Sequence, residues 1–375
     1  MLRILVLIGL SLAILHCYLP SPINPRPVVS PASTETPPAR TATLQWRALP
    51  GVSMGNPEGI AVDNTGRLYA ADNAGQILRF SLDGPNVTQE VFAEAGGYPI
   101  GMGFDHRNGD LWLANFPLGL QRVDSAGNVT LEVQHADNLP VAFADDVVVA
   151  DGKVYFTDVS TRFNLHNFAD TTPFVLWEFL EGRANGRVLM YDPHSRRVNT
   201  VVEQAYFPSG IAIANNGQAL LFVEVSRHRL IRYWIAGERR GSREVFEANL
   251  PGVPDDVYVD ELGRIWVSLV SPRDQLLDRW IQPYPLVKTL LARLPDSLLQ
   301  TMELPVGPGS VLLMNDAGEV QCQFHISPTT SAANIVVRNS QIFVGVLIGD
   351  APGTIDLPGD AKCLNAQASA SPLRQ

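Results

Sequence analysis

Six short stretches of this chain share one register, and one position of it holds Glu58, Ile100, Asp145, Ser209, Asp255 and Ala333. The stretches are Pro57-Glu58-Gly59-Ile60, Pro99-Ile100-Gly101-Met102, Ala144-Asp145-Asp146-Val147, Pro208-Ser209-Gly210-Ile211, Pro254-Asp255-Asp256-Val257 and Ala332-Ala333-Asn334-Ile335. If each opens the inner strand of one unit in a closed ring, the six side chains converge near the ring axis. Three of them are acids, and carboxylates gathered away from water repel one another unless a cation lies between them. Glu58, Asp145 and Asp255, with Ser209, form an all-oxygen donor set. Such a set suits Ca²⁺ or another oxygen-preferring divalent cation, which takes about six to eight oxygen ligands, waters included. No Cys or His shares the register, which argues against zinc. An ion held there would polarise a carbonyl. The second acid of two stretches, Asp146 or Asp256, is then the candidate to activate water. The competing reading of Asp146 and Asp256 is that they only cap turns. No Gly-x-Ser-x-Gly pattern supports a serine-hydrolase route.

Strands must carry these residues to one axis, and the flanking sequence supplies them. Each opening position leads into a short apolar run, such as Ile60-Ala61-Val62 or Val257-Tyr258-Val259. A turn follows, such as Asp63-Asn64-Thr65-Gly66 or Glu261-Leu262-Gly263, rich in residues that tolerate positive φ and so mark hairpins. A second apolar run comes next, such as Leu68-Tyr69-Ala70 or Ile265-Trp266-Val267. Third strands are expected at 76–80, 187–191 and 229–234, and fourth strands at 129–133 and 198–202. Four short strands repeated about every 40–50 residues are the signature of a β-propeller. The register recurs six times, so the expected fold is all-β: a six-bladed β-propeller over residues 44–358 with a helical insertion in the fifth blade. The sixth unit lacks a fourth strand after 353–357, and residues 44–49 are placed to supply it and close the ring.

The remaining segments bound location and partners. Residues 1–18 carry one basic residue, Arg3, and then an almost wholly apolar run. That run reads as a signal peptide or a membrane anchor, short for a spanning helix. Ile14-Leu15-His16-Cys17 faintly resembles a lipidation box. The expectation is an extracytoplasmic protein (secreted, periplasmic or lumenal), with membrane association through this N-terminal segment. Residues 19–43 are rich in Pro, Ser and Thr and read as an extended spacer, and residues 359–375 as a C-terminal tail. Net charge is −10, with no basic stripe to neutralise phosphates, so nucleic acid is not an expected partner. Cys322 and Cys363 read either as a disulfide or as two separate thiols.

Two motifs carry a resemblance. Val154-Tyr155-Phe156-Thr157-Asp158-Val159-Ser160-Thr161 and Phe222-Val223-Glu224-Val225-Ser226-Arg227-His228-Arg229-Leu230-Ile231-Arg232-Tyr233-Trp234 resemble hallmarks of the strictosidine synthase-like family. Pro254-Asp255-Asp256 and the Leu-rich stretch 278–299 are similar to its adipocyte plasma membrane-associated protein branch. The resemblance implies a six-bladed propeller related to gluconolactonases and paraoxonases, which are divalent-metal-dependent lactone and ester hydrolases. It implies that Glu58, Asp145, Ser209 and Asp255 hold the ion, with Ser209 and Asp145 standing where relatives carry asparagines. It also shows two departures. Ala333 stands where true synthases carry a catalytic glutamate, and Ile100 where paraoxonases carry a histidine. Condensation of an amine with an aldehyde therefore has no evident acid–base group here.

Two insertions complete the reading. Residues 160–185, in the third unit, are placed to overhang the tunnel. Residues 272–305, in the fifth, read as helix with Leu286, Val287, Leu290, Leu291 and Leu294 on one apolar face and Lys288 and Arg293 on others. That face suits packing on the rim, a lid, or a membrane surface. Trp280 and Phe174 are candidate pocket walls, His106, His166 and His228 read as exposed loop residues, and Asp158 and Glu224 as structural. The sequence points first to a metal-dependent hydrolase of small-molecule lactones or esters, and second to a non-catalytic binding propeller with a structural ion.

Overall fold

The turns explain why the hairpins form. Asp63 Oδ1 accepts hydrogen bonds from Thr65 N and Arg67 N, and Asp260 Oδ1 does the same for Leu262 N and Arg264 N. Each aspartate thus caps its own turn, and Gly66 and Gly263 take the positive φ, 90° and 75°, that closes it. The strands so paired build six sheets around a ring in the computed structural model, which describes residues 20–29, 40–82, 87–165, 167–168, 173–299, 307–326, 331–338 and 340–357. The first blade runs Ile60–Val62, Leu68–Ala71, Gln76–Ser81 and Thr88–Glu94, each strand antiparallel to the next.

Burial falls from the axis outward. Ile60–Val62 and Leu68–Ala71 are buried throughout, whereas Thr88–Glu94 is mostly exposed. The apolar interior is accordingly divided among blade interfaces. Trp112 and Leu120 of blade two meet Val147 and Phe156 of blade three in one such cluster. Trp266 and Val311 of blade five meet Ile335 and Val344 of blade six in another.

The ring closes as expected. Trp46–Ala48 pairs antiparallel with Gly353–Asp356 and supplies the missing strand of blade six. Thr41–Thr43 also pairs, in parallel, with Val320–His325 of blade five. The N-terminal stretch is therefore not a free spacer as expected. Residues 20–29 are docked, with Ile23 and Val28 buried. Arg26 N donates to the Glu181 carbonyl and Val28 N to that of Gln282, both at 2.9 Å. The expected membrane segment, residues 1–18, lies outside the described residues, and among the described residues no helix is long and apolar enough to cross a membrane. Cys322 is buried and disulfide-bonded, while Cys17 and Cys363 lie outside the described residues.

The docked segment bridges two roof elements. One is the third-blade helix Phe174–Glu181. The other is the fifth-blade insertion, broken by Pro283 and Pro285 into the wide turn Leu277–Ile281, the helix Pro285–Leu291 and the short Asp296–Leu299. The expected apolar face of that insertion is only partly kept: Lys288, expected off it, is wholly buried and Leu286 is 56% exposed, while Val287, Leu290, Leu291 and Leu294 are half-buried. The reason is local satisfaction, since Lys288 Nζ donates to the Arg26 carbonyl at 2.6 Å and to Gln282 Oε1 at 3.1 Å. Burial, and then the nearby Arg227 charge, push its ammonium down to about 7. An unfolded lysine still binds its proton up to about pH 10, so stability should rise as pH climbs from 7 toward 10. Lys288→Met is expected to flatten that rise in a pH series of melting temperatures.

Candidate functional site

The inner strands deliver four of the predicted residues to one place. Glu58, Asp145, Ser209 and Asp255, from blades one, three, four and five, line a single cavity of about 270 Å³. Ile100 of blade two joins them, whereas Ala333 of blade six is fully buried. The wall above is aromatic. Phe116, Phe143, Phe174 and Phe207 pack ring against ring, with centroids 5.0–6.3 Å apart. Phe174 comes from the third-blade insertion, which overhangs the cavity as expected. Trp280 does not line it and is 64% exposed.

The floor is electrostatically uncompensated. Ser209 Oγ donates to Asp145 Oδ1 at 2.6 Å, and Tyr98 Oη lies 2.9 Å from Glu58 Oε2. Burial, then the charges of Asp255 and Asp145, hold the Glu58 carboxyl well above its ordinary range. Burial pushes Asp145 up to about 7. Burial with repulsion from Asp145 and Asp146 pushes Asp255 up to about 8. Among the described residues that line the cavity there is no Lys or Arg. Among the described residues, too, no three His, Cys, Asp or Glu side chains are gathered closely enough to hold a metal ion as they stand. The donors fit an oxygen-preferring cation in chemistry and in facing one cavity, and they stand around it rather than in a closed shell.

Asp146 and Asp256 do not belong to this cavity. Asp146 Oδ1 accepts from Val147 N, and its Oδ2 accepts from Ile211 N of blade four at 2.8 Å. Asp256 repeats the pattern with Val257 N and, at 2.9 Å, Ile335 N of blade six. Both line a separate cavity of about 280 Å³ bounded by the inner strands, including Ile60, Ile211 and Ile335. Each carboxylate staples its blade to the next, and neither lines the cavity of Glu58 and Asp255, where it was expected to activate water. The same register position holds glycine elsewhere because the blades touch there. A Cβ on Gly101 would lie 2.3 Å from the Asp145 carbonyl, and one on Gly210 would lie 2.4 Å from Asp256 Cα. Asp256→Ala strands two buried N–H groups, at about 1–3 kcal/mol each. A lowered melting temperature with the cavity chemistry retained is the expected result by calorimetry.

One cavity residue was missed in sequence. His228 lines the cavity and is only 3% exposed, not the exposed loop residue expected. It ends the short 3-10 turn Val225–Arg227 with φ 48°, which turns the ring inward. Its Nδ1 is 3.2 Å from the Gly252 carbonyl, and its Nε2 is 3.6 Å from Asp278 Oδ1 on the fifth-blade insertion. Burial raises the Asp278 carboxyl, but the His228 and Arg273 contacts outweigh it and hold it low. His106 is exposed as expected, and His166 lies outside the described residues. Asp158 and Glu224 are structural: Asp158 pairs with Arg187, and Glu224 accepts from Tyr206 N and Arg229.

Comparison with known proteins places this geometry. A family model described as strictosidine synthase matches residues 145–238, and one described as strictosidine synthase-like, N-terminal, matches residues 53–80. Protein STRICTOSIDINE SYNTHASE-LIKE 7 of Arabidopsis thaliana is 31% identical over 294 residues, 76% of this chain and 76% of that protein. Protein STRICTOSIDINE SYNTHASE-LIKE 3 of the same plant is 34% identical over 213 residues, 56% of this chain. The chain spans about half the length of that relative and of Protein STRICTOSIDINE SYNTHASE-LIKE 13, 52% and 48%. Among solved structures, a gluconolactonase from Xanthomonas campestris matches with a TM-score of 0.58 at 17% identity, covering 91% of this chain and 97% of that one. A calcium-binding protein, regucalcin, from Agrobacterium tumefaciens matches with 0.54 at 15% identity, covering 85% and 97%. At these identities the likeness is one of fold.

Proposed function

The chain belongs to the strictosidine synthase-like family, and from that premise we propose that it is a hydrolase of lactones or esters that works with a bound divalent cation, calcium foremost. The observation that carries this reading is the meeting of Glu58, Asp145, Ser209 and Asp255, from four blades, on one apolar cavity lined, among the described residues, by no Lys or Arg. Those four residues would hold the ion, which when bound supplies Lewis-acid polarisation of a carbonyl. The names of two fold neighbours, a gluconolactonase and a calcium-binding regucalcin, accord with it.

The chain's own residues supply the rest. The phenylalanine wall excludes water and holds the apolar part of a substrate. The Gly252 carbonyl can only accept, so it fixes a proton on His228 Nδ1 and leaves Nε2 to take one from a cavity water. Asp278, held ionised, then faces the imidazolium. His228 thus takes the base role expected of Asp146 or Asp256. A synthase role is not proposed, because Ala333 offers no acid–base group. A binding propeller with a structural ion is the second reading, favoured by apolar Ile100 and Ala333. A panel of lactones and aryl esters assayed with and without chelator separates the two. Turnover that stops with chelator supports hydrolysis, and absent or chelator-indifferent turnover removes it.

A further inference from the structure

Among the described residues five carboxylates line the cavity: Glu58, Asp145, Asp255, Asp274 and Asp278. Four of them already have a partner or a part. Glu58, Asp145 and Asp255 belong to the donor set of the floor. Asp278 accepts from Arg273 Nε at 2.6 Å and faces His228. Asp274, on the fifth-blade insertion, is the one left over. Its Oδ1 accepts from Leu277 N and its carbonyl from Asp278 N, both at 2.9 Å. It thus caps the wide turn Leu277–Ile281, and the cap fixes its side chain in place. Among the described residues nothing donates to its Oδ2, and no Lys or Arg pairs with it. Even the neighbouring Arg273 is engaged elsewhere, by Asp278 and by Asn249 Oδ1.

We propose that Asp274 sets the charge class of the substrate: it admits uncharged lactones and esters, rejects those bearing a carboxylate or phosphate, and repels the carboxylate that each turnover makes. The inference rests on the hydrolase reading and adds to it a selectivity that the floor and the base do not supply. An apolar wall disfavours any ion by desolvation, whatever its sign. A fixed carboxylate without a counter-charge disfavours anions alone, and it does so strongly where water is scarce. Such a repulsive element is how a site rejects a competitor that fits it in shape. Hydrolysis also changes the sign of what the cavity holds. The acyl–oxygen bond breaks, and water gives its hydroxyl to the acyl carbon and a hydrogen to the departing oxygen. The new acid then loses a proton, so a carboxylate stands where a neutral carbonyl lay. With no Lys or Arg on the cavity to retain that product, the charge of Asp274 favours its release.

The test separates charge sign from desolvation. Phenyl acetate, para-carboxyphenyl acetate and para-trimethylammoniophenyl acetate are assayed with wild type and with Asp274→Asn. Asparagine keeps the oxygen that caps Leu277 N and removes only the charge. Should its melting temperature fall, Asp274→Ser, which also keeps a cap oxygen, is read in its place. The expected wild-type result is a kcat/KM for the anionic ester below that for the cationic one. In the variant the anionic-to-cationic ratio should rise about tenfold, well within the interaction of two charges near a protein surface. Inhibition by para-hydroxybenzoate should tighten by a similar factor. A ratio that the variant leaves unchanged, or a wild type that takes both charged esters equally, overturns the proposal. If no ester is turned over, the hydrolase reading fails by itself. Charge selection is then read by calorimetry in chelator, with para-hydroxybenzoate against para-trimethylammoniophenol. Preference for the cation that shrinks in the variant supports it, and equal binding or none overturns it.

Discussion

Asp255→Asn is expected to abolish the thermal response to Ca²⁺ while raising the melting temperature of the metal-free protein. The two effects have one cause. Asp255 shares its cavity with Glu58 and Asp145, and burial holds all three carboxyls above their ordinary range, with repulsion from neighbouring carboxylates adding to it at Glu58 and Asp255. Without a cation this arrangement is a cost to the fold, and asparagine removes one charge while keeping shape and one oxygen donor. With a cation the same charges become ligands, and ligand at a hundredfold excess over its dissociation constant adds about 2.7 kcal/mol of stability. Wild type should therefore melt higher with Ca²⁺ than with chelator, and Asp255→Asn should melt at one temperature in both. Scanning calorimetry of the two proteins under both conditions decides the matter. A Ca²⁺ shift that survives the substitution would remove the metal reading. A substitution that merely damaged packing would lower both temperatures, so the rise is the informative sign.

Sequence alone carried the ring and its acids because both follow from local periodicity. A strand that opens at Glu58 or Asp255 points the same side chain inward for the same reason, so the register reads directly into geometry. The closing strand at Trp46–Ala48 was legible because blade six visibly lacked a partner. The position after the opening residue was misread. Gly59, Gly101, Asp146, Gly210, Asp256 and Asn334 form a second register, and its alternatives are absence of a side chain or a polar one that bonds a neighbouring blade. That pattern was present in the sequence and signals blade contact rather than chemistry. The orientations of Lys288 and Leu286 were not legible. They depend on residues 20–29, remote in sequence, arriving to accept a hydrogen bond from Lys288. Helical periodicity also has little force over a helix as short as Pro285–Leu291.

His228→Asn is expected to lower kcat for ester or lactone turnover by about 10²–10⁴, the range for loss of a general base, with the Ca²⁺ melting shift retained. Asparagine is the informative replacement on two counts. It accepts the left-handed backbone that His228 holds at φ 48°, and its amide places an N–H where Nδ1 meets the Gly252 carbonyl. What it lacks is Nε2, the atom assigned the proton. Asp278→Asn tests the partner separately. It removes the carboxylate charge 3.6 Å from Nε2 and should give a smaller fall in kcat than His228→Asn. A His228→Asn variant of full activity would return the base role to another group. If the Ca²⁺ shift persists in a variant whose turnover is lost, the ion and the base are separable parts of one site. A propeller that only binds would show the shift in both His228→Asn and Asp278→Asn and turnover in none.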